Sequence, residues 1–295
     1  MAAPSLAAPR RPSLAPPPAG ALLTALVEAR LREGALEIPV LPAVASQVLA
    51  ACHSEQSDAR TVTGLVERDQ ALAAHVLRVA NSAGYAAAAA ITSLQQAVGR
   101  LGLGTVCDLA LTASLARSVR PPKGFEPLAA GLWGRAAAAS AYAKEIARVR
   151  RRNAESVALA GLLHDVGMPV VLRAAAAVGG PSATRDSVEH AMHELHGEVG
   201  ARLVREWKLP EGVAQAALHH HAPALASDDD AELAWTVHLA DRLTGWALDP
   251  RHDTDAAPPL DADPVELAAL GLYDDDFERL LGARARVAQI ARSFT

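Results

Sequence analysis

Apolar residues recur at helical spacing along most of the chain. Between residues 21 and 34, leucines and valines form one stripe, which stops at Gly34, a residue type favoured just after a helix. After Pro42, a residue type common at helix starts, Val44 and Val48 repeat at the same spacing. No segment shows the sustained two-residue alternation of a half-buried strand. The pattern therefore predicts an all-α protein.

The cluster RPPKGFEP at residues 120–127 interrupts this pattern and predicts a seam between two packed helical subdomains of a multi-helix bundle. Near the C-terminus, Asp263 is a predicted N-cap, Pro264 the first helical residue and Glu266 the partner in a capping box. The predicted organisation is a disordered Pro/Ala-rich extension at 1–20, a main domain at 21–246 with subdomains at 21–120 and 128–246, a linker at 247–262 and a helical appendage at 263–295.

The composition agrees with a globular helical protein: 51% of the 295 residues are hydrophobic, 21% are charged and only 3% are aromatic. The net charge of −5 gives no general attraction to nucleic-acid backbones. The only obvious basic cluster, RVRRRN at Arg148–Asn153, is expected to be a solvated helix end, where cations suit the helix dipole. Nucleic acid is therefore not an expected partner.

Two cysteines, Cys52 and Cys107, lie in apolar helical patterns without a CxxC spacing, and we expect both to be reduced core residues. The first twenty residues carry six prolines and no continuous apolar stretch, so a secretory signal is not expected. Uninterrupted runs of 18 strongly apolar residues are absent, which argues against a membrane span. These features favour a cytoplasmic location.

An adjacent pair, His164 and Asp165, ends the apolar run ALAGLLHDVG. Such a pair can bind a metal, or it can be two polar residues that close a helix. Further along the chain come His196, the three histidines at 219–221, and Asp241 within the apolar segment VHLADRL. A buried carboxylate needs a cation, a hydrogen-bond donor or a metal. Imidazole and carboxylate groups on several helices suit a divalent transition metal.

This order of His-Asp, His, His-His and Asp resembles the HD superfamily of metal-dependent phosphohydrolases, which are helical bundles. The segments IPVLPAVASQVLAAC, LVERDQALAAHVLRVANSAGY and ITSLQQAVGRLGL resemble its HDOD branch, found in bacterial signalling proteins. The likeness runs from about Leu36 to Leu243. It implies one or two divalent ions (Fe, Mn, Zn, Ni or Mg), and the candidate ligands are His164, Asp165, His196, His220, His221 and Asp241. His220 and His221 fit the HHxP context best, because Pro223 follows.

The sequence departs from the catalytic pattern at one position. Catalytic relatives carry a histidine in an LWxHS setting before the His-Asp pair, whereas this chain has LWGRA, with Arg135 in that place. A guanidinium group has no lone pair for a metal and repels a dication. We hypothesise that Arg135 pairs with Asp165 or Asp241 and takes over the charge balance. The GYP-type segment of relatives that hydrolyse cyclic dinucleotides is also missing.

Two functions from different classes stay open. The helical scaffold beside an incomplete ligand set favours a bacterial signalling module that binds a protein partner or a ligand such as a nucleotide second messenger. The alternative is a metal-dependent phosphohydrolase for nucleotides or cyclic dinucleotides, which retains His164 and Asp165 as its catalytic pair. A nucleic-acid regulator acting through Arg150, Arg151 and Arg152 is not favoured.

Overall fold

The computed structural model describes residues 19–35, 39–52, 54, 58–82, 90–253 and 260–294. Within these ranges all regular structure is helical, which confirms the predicted all-α class. Residues 1–18 and 254–259, which carry most of the predicted extension and part of the predicted linker, lie outside the described residues. The α-helices are α1 (Ala19–Arg32), α2 (Ala43–Cys52), α3 (Ala59–Glu67), α4 (Gln70–Ala80), α5 (Leu94–Leu101), α6 (Leu103–Ser118), α7 (Glu126–Ala129), α8 (Leu132–Val149), α9 (Ala154–Leu163), α10 (Met168–Gly179), α11 (Arg185–Glu206), α12 (Glu211–His219), α13 (Ala231–Leu248), α14 (Pro264–Leu270), α15 (Asp274–Leu281) and α16 (Arg284–Arg292).

Helices α2 to α6 form the N-terminal half around a core of valines and leucines such as Val62, Val66 and Leu72. Gly102 separates α5 from α6 with a φ of 81°, a conformation that glycine adopts without steric cost. The chain bends by 114° between the two helices at this glycine.

The first helix packs on the C-terminal half. Leu23, Val27 and Leu31 of α1 share a core with residues of α10 and α11. The Arg202 side chain donates from Nη1 to the Leu31 carbonyl at 2.8 Å and so holds the end of α1 against α11. The sequence prediction places α1 in the N-terminal subdomain, but its apolar stripe faces the other subdomain.

Alanine and glycine allow close helix packing around α8. A Cβ atom on Gly161 of α9 would lie 2.9 Å from the Ala139 carbonyl oxygen of α8. On the other side of α8, a Cβ on Gly134 would lie 2.7 Å from the Ala291 carbonyl oxygen of α16. These distances are shorter than ordinary van der Waals contact, so the high alanine content reflects tight helix-helix packing.

The C-terminal helices complete a core of their own against α8 and α13. Phe277 of α15 and Val287 of α16 are buried in one cluster with Tyr142 of α8. Asp263 caps α14 as predicted, accepting a hydrogen bond from the Val265 amide at 2.8 Å. The predicted capping role of Glu266 is wrong, because its carboxylate is fully buried and pairs with side chains of α13.

Two other expectations need correction. Cys52 and Cys107 are joined by a disulfide that links α2 to α6, so they are not reduced. Arg150 is not solvated: its side chain is 11% exposed, lies 2.9 Å from Glu232 of α13 and donates to the Leu270 carbonyl of α14. Part of the basic cluster therefore stabilises helix packing.

Among the described residues, the stretch Val157–Ser182, which runs from α9 through the turn at 164–167 into α10, is long and apolar enough to cross a membrane by length and composition. The pair α5 and α6 passes the same test only if the two are taken as one bent span. Polar residues such as His164 and Asp165 interrupt the stretch Val157–Ser182, so it contains no uninterrupted run of 18 apolar residues although its mean hydropathy is high. Its most apolar window is 78% buried inside the protein, where Leu163 and Val171 belong to the core.

Candidate metal centre

The six predicted ligand residues meet at one place between five helices. His164 and Asp165 lie in the turn between α9 and α10, and His196 lies in the middle of α11. His220 and His221 follow α12 directly, and Asp241 lies on α13. The structure therefore brings all six candidates together, although metal binding by them stays a prediction.

A close packing contact holds the His164 turn against α11. A Cβ atom on Gly167 would lie 2.0 Å from the His196 carbonyl oxygen and 2.7 Å from the Gly200 amide nitrogen. Only glycine fits this contact. The glycine that follows the His-Asp pair therefore fixes the distance between the pair and His196.

Backbone carbonyls fix the tautomers of the buried histidines. The Nδ1 atom of His164 lies 2.8 Å from the Gly161 carbonyl oxygen, and that of His220 lies 2.9 Å from the Ala217 carbonyl oxygen. His196 Nδ1 lies 2.8 Å from the carbonyl oxygen of His193. A carbonyl only accepts hydrogen bonds, so Nδ1 carries a proton in each of these three rings and Nε2 faces the centre.

These Nε2 atoms converge. His196 Nε2 lies 3.2 Å from the Nε2 atoms of both His220 and His221. Two ring nitrogens at this distance need a proton or a cation between them. Asp165 Oδ1 lies 3.5 Å from His196 Nε2 and 3.6 Å from His220 Nε2.

The buried atoms also lack full hydrogen bonding, which tests whether a metal fits. His164 Nε2 and Asp165 Oδ1 are buried without a hydrogen-bond partner among the described residues. Two overlapping groups offer ligand atoms within 4.8 Å of one another. They are His164, Asp165 and His220, and His196, His220 and His221. Nitrogen and oxygen ligands of this kind suit Zn, Fe, Mn or Ni, so the donor set fits a divalent transition metal.

The charges of the centre respond to burial and to one another. Burial opposes a charge on His164, but Asp165 and Asp241 outweigh it and raise the His164 pKa well above its ordinary value. Burial likewise opposes a charge on Asp165, yet His164 and its neighbours hold the Asp165 pKa well below its ordinary value. Burial lowers the pKa of His196. Burial and the neighbouring His220 and His196 lower the pKa of His221 to about 4. The imidazoles of His196 and His221 are therefore neutral near pH 7.

Arg135 points into the centre. Its Nη2 atom donates to Asp241 Oδ1 at 3.2 Å, and the same oxygen lies 3.6 Å from His164 Nε2. Despite burial, His164 and Arg135 lower the Asp241 pKa to about 2, so the carboxylate is charged. The hypothesis that Arg135 pairs with one of the two aspartates agrees with this geometry. Asp241 is the aspartate that it contacts.

A second layer of residues supports the centre, and the sequence analysis did not find it. His238 Nδ1 lies 2.5 Å from the His220 carbonyl oxygen, and its Nε2 lies 2.9 Å from the buried Glu266 carboxylate. Arg242 also pairs with Glu266. His238 precedes Asp241 by one helical turn, which was an available signal. The contribution of Glu266 depends on how α14 docks, and the sequence carries no signal for that.

Comparison with known proteins identifies the family of this chain. The model of the HDOD domain matches residues 38–223. The chain therefore belongs to the HDOD domain family. An uncharacterised protein of Treponema pallidum (strain Nichols) is 25% identical over 215 residues, which are 69% of this chain and 41% of that protein. The chain thus spans about two fifths of the length of this curated relative.

Solved structures show the same fold. A protein of Shewanella amazonensis SB2B, provisionally assigned as a metal-dependent phosphohydrolase, superposes with a TM-score of 0.69 at 19% identity, covering 94% of this chain and 99% of its own. An HDOD domain protein of unknown function from Geobacter sulfurreducens gives a TM-score of 0.66 at 23% identity, with coverages of 93% and 97%. At these identities the likeness establishes the fold.

Proposed function

We propose that this chain is a regulatory HDOD module whose centre binds a divalent metal ion without hydrolysing phosphate esters, and which acts by binding a protein partner or ligand. The observation that carries this proposal is the contact between Arg135 and Asp241. The permanently charged guanidinium of Arg135 pairs with the Asp241 carboxylate, whose negative charge would otherwise compensate the positive charge of a metal ion. The guanidinium also repels a dication nearby.

Several residues of the centre are suited to hold a metal. His196, His220 and His221 present their Nε2 atoms to one another, while Asp165 supplies a carboxylate. When bound there, a divalent ion would polarise a coordinated water or a phosphoryl oxygen. Carbonyl contacts at Nδ1 orient the rings of His196 and His220, and Arg135 keeps Asp241 paired.

The proposal includes a bacterial cell and a cytoplasmic location, which rest on the family's occurrence in bacterial signalling proteins. The Cys52–Cys107 disulfide counts against this location, because disulfides are rare in a reducing cytoplasm. The binding partner is proposed as a signalling protein, with no role for nucleic acid or a membrane.

A hydrolysis assay of the purified chain tests the proposal. Metal-free protein is supplied with Mn²⁺ or Fe²⁺ and offered a phosphodiester, a phosphomonoester, nucleotides and a cyclic dinucleotide. We expect rates no higher than those of the His164→Ala variant. We also expect Mn²⁺ to raise the melting temperature of the unmodified chain and not that of a His196→Ala/His220→Ala variant, because ligand binding stabilises the folded state. Hydrolysis that disappears in His164→Ala would overturn the proposal.

The alternative function is a metal-dependent phosphohydrolase with an incomplete ligand set. The convergence of the Nε2 atoms of His196, His220 and His221 favours it, because such a nitrogen cluster is suited to binding metal. The two functions share metal binding and differ in turnover. The hydrolysis assay therefore discriminates them, and metal content alone does not.

A further inference from the structure

A cavity of about 650 Å³ lies away from the metal centre. It is formed where α1, α10 and the segment at residues 120–125 meet. Four cationic side chains from these three segments line it, namely Arg30, Arg120, Lys123 and Arg173. None of the described residues in its lining is acidic. The whole chain has 33 acidic and 28 basic residues, so this grouping runs against the overall charge.

The remaining lining is apolar. Pro122 and Phe125 come from the seam, and Val170 and Val178 from α10. Phe125 is half-buried and packs against the hydrophobic core, so part of its side chain is exposed to solvent. The volume lies within the range of about 300 to 1,000 Å³ that is typical of small-molecule sites. The lining thus combines several cations with an aromatic ring and aliphatic groups.

We propose that this cavity binds a nucleoside polyphosphate. Guanidinium groups form paired, charge-assisted hydrogen bonds with phosphate oxygens, and two or more phosphates match cations that come from three segments. The base stacks on Phe125, because every nucleobase has a flat face that can pack on an aromatic ring.

Helix α10 connects the cavity to the metal centre. This helix carries Arg173 in the cavity and begins at Met168, whose amide donates to the Asp165 carbonyl at 2.9 Å. Gly167, just before α10, is pressed against the His196 carbonyl. The cavity is nevertheless a separate site, since it shares no residue with the candidate ligand set.

Calorimetric titration of the full chain with ATP, in the presence of EDTA, tests the proposal without any contribution from a bound metal. We expect saturable binding of ATP, binding of pyrophosphate that is at least about tenfold weaker, and no binding of adenosine. The Arg120→Ala/Lys123→Ala variant is expected to bind ATP at least about tenfold more weakly, since each lost charged hydrogen bond costs about that much or more.

The matched control is Arg60→Ala/Arg68→Ala, which removes two exposed cations from the region of α3, away from the cavity. It should bind ATP as the unmodified chain does, and so should His164→Ala. Absence of ATP binding, equal weakening in the control, or unchanged binding in Arg120→Ala/Lys123→Ala would overturn the proposal. Loss of ATP binding in His164→Ala would place the nucleotide in the metal centre and would also overturn it. If the metal centre proved to hydrolyse phosphate esters, the proposed function would be wrong but nucleotide binding in this cavity would not be affected. The two proposals can therefore be tested independently.

Discussion

The tautomers of the site histidines are set by the helices that carry them. A histidine near a helix end, or with its ring turned back along the helix, can donate from Nδ1 to a carbonyl three or four residues earlier, as His196 does. The sequence predicts which residues are the candidate ligands, because their order and the HHxP context are visible in it. It suggests that Arg135 pairs with Asp165 or Asp241 but does not decide between them, because the observed contact with Asp241 depends on how α8 packs on α13.

The first residue-scale prediction concerns Arg135. Arg135→His replaces a fixed cation with a ligand type and leaves Asp241 free, so we expect the affinity for Mn²⁺ or Zn²⁺ to rise by at least about tenfold, as measured by calorimetry. The control is Arg148→His on the same helix, where the arginine pairs with Glu145 at the surface. Equal affinities for Arg135→His and the unmodified chain would contradict the assigned role of Arg135.

The second residue-scale prediction concerns Gly167. Gly167→Ala places a methyl group against the His196 carbonyl and the Gly200 amide, which are backbone atoms that cannot move aside separately. We expect the free energy of unfolding to fall by about 3 kcal/mol or more. Denaturant titration measures this.

Gly99→Ala is the matched control, because nothing lies within 4 Å of an added Cβ in the described structure around α5. Alanine is favoured over glycine in a helix by about 1 kcal/mol, so this variant should be at least as stable as the unmodified chain. If the two variants had the same stability, the close contact at Gly167 would be disproved.

At the scale of elements, sequence periodicity and end signals place helices well. Gly34 adopts a φ of 69° just after α1, and Asp263 caps α14, both where the sequence predicts a helix boundary. The partners of the helices are harder to predict. The stripe of α1 is apolar whichever half it covers, and only tertiary packing decides that it covers α10 and α11.

The contact between α4 and the C-terminal segment gives an element-scale prediction. The His75 ring lies 4.4 Å from the Phe294 ring, and its Nε2 is buried without a hydrogen-bond partner among the described residues. Burial, together with Arg78 and Arg117, lowers the His75 pKa to about 4. The contact therefore requires a neutral imidazole.

Above pH 6.5 this histidine is neutral in both the folded and the unfolded states, so it adds no pH dependence. Between pH 6.5 and about 4 the unfolded chain takes up a proton that the folded chain does not, and stability falls as the pH falls. We expect His75→Gln to lose less stability between pH 7 and pH 4.5 than the unmodified chain does, in denaturant titrations. His193→Gln, at an exposed position of α11, should keep the original slope. Identical slopes for all three proteins would refute this role of His75.

At the scale of the whole molecule, the amino-acid sequence predicts a helical bundle but not how its parts are joined. The C-terminal helices, predicted as an appendage, reach the centre through Glu266 and His238. The Cys52–Cys107 disulfide closes a loop of 55 residues in the N-terminal half. Cysteines without a CxxC spacing gave no signal for this bond, because pairing depends on the contact between α2 and α6.

Reduction of this disulfide should destabilise the protein. Releasing a loop of 55 residues increases the entropy of the unfolded chain and lowers the free energy of unfolding by up to about 4 kcal/mol. Denaturant titration with and without reductant measures this difference. The Cys52→Ala/Cys107→Ala variant should be insensitive to reductant, and an unmodified chain that is equally insensitive would show that the bond is not formed.

The central claim is that Arg135 holds Asp241, so that the centre accommodates metal on its histidines without becoming a hydrolytic site. A crystal structure of the chain soaked in Mn²⁺, with anomalous scattering to locate the metal, tests it most directly. The account predicts an anomalous peak bound by histidine Nε2 atoms while the Arg135 guanidinium stays on Asp241. A metal ion coordinated by Asp241, with Arg135 turned away, would contradict it.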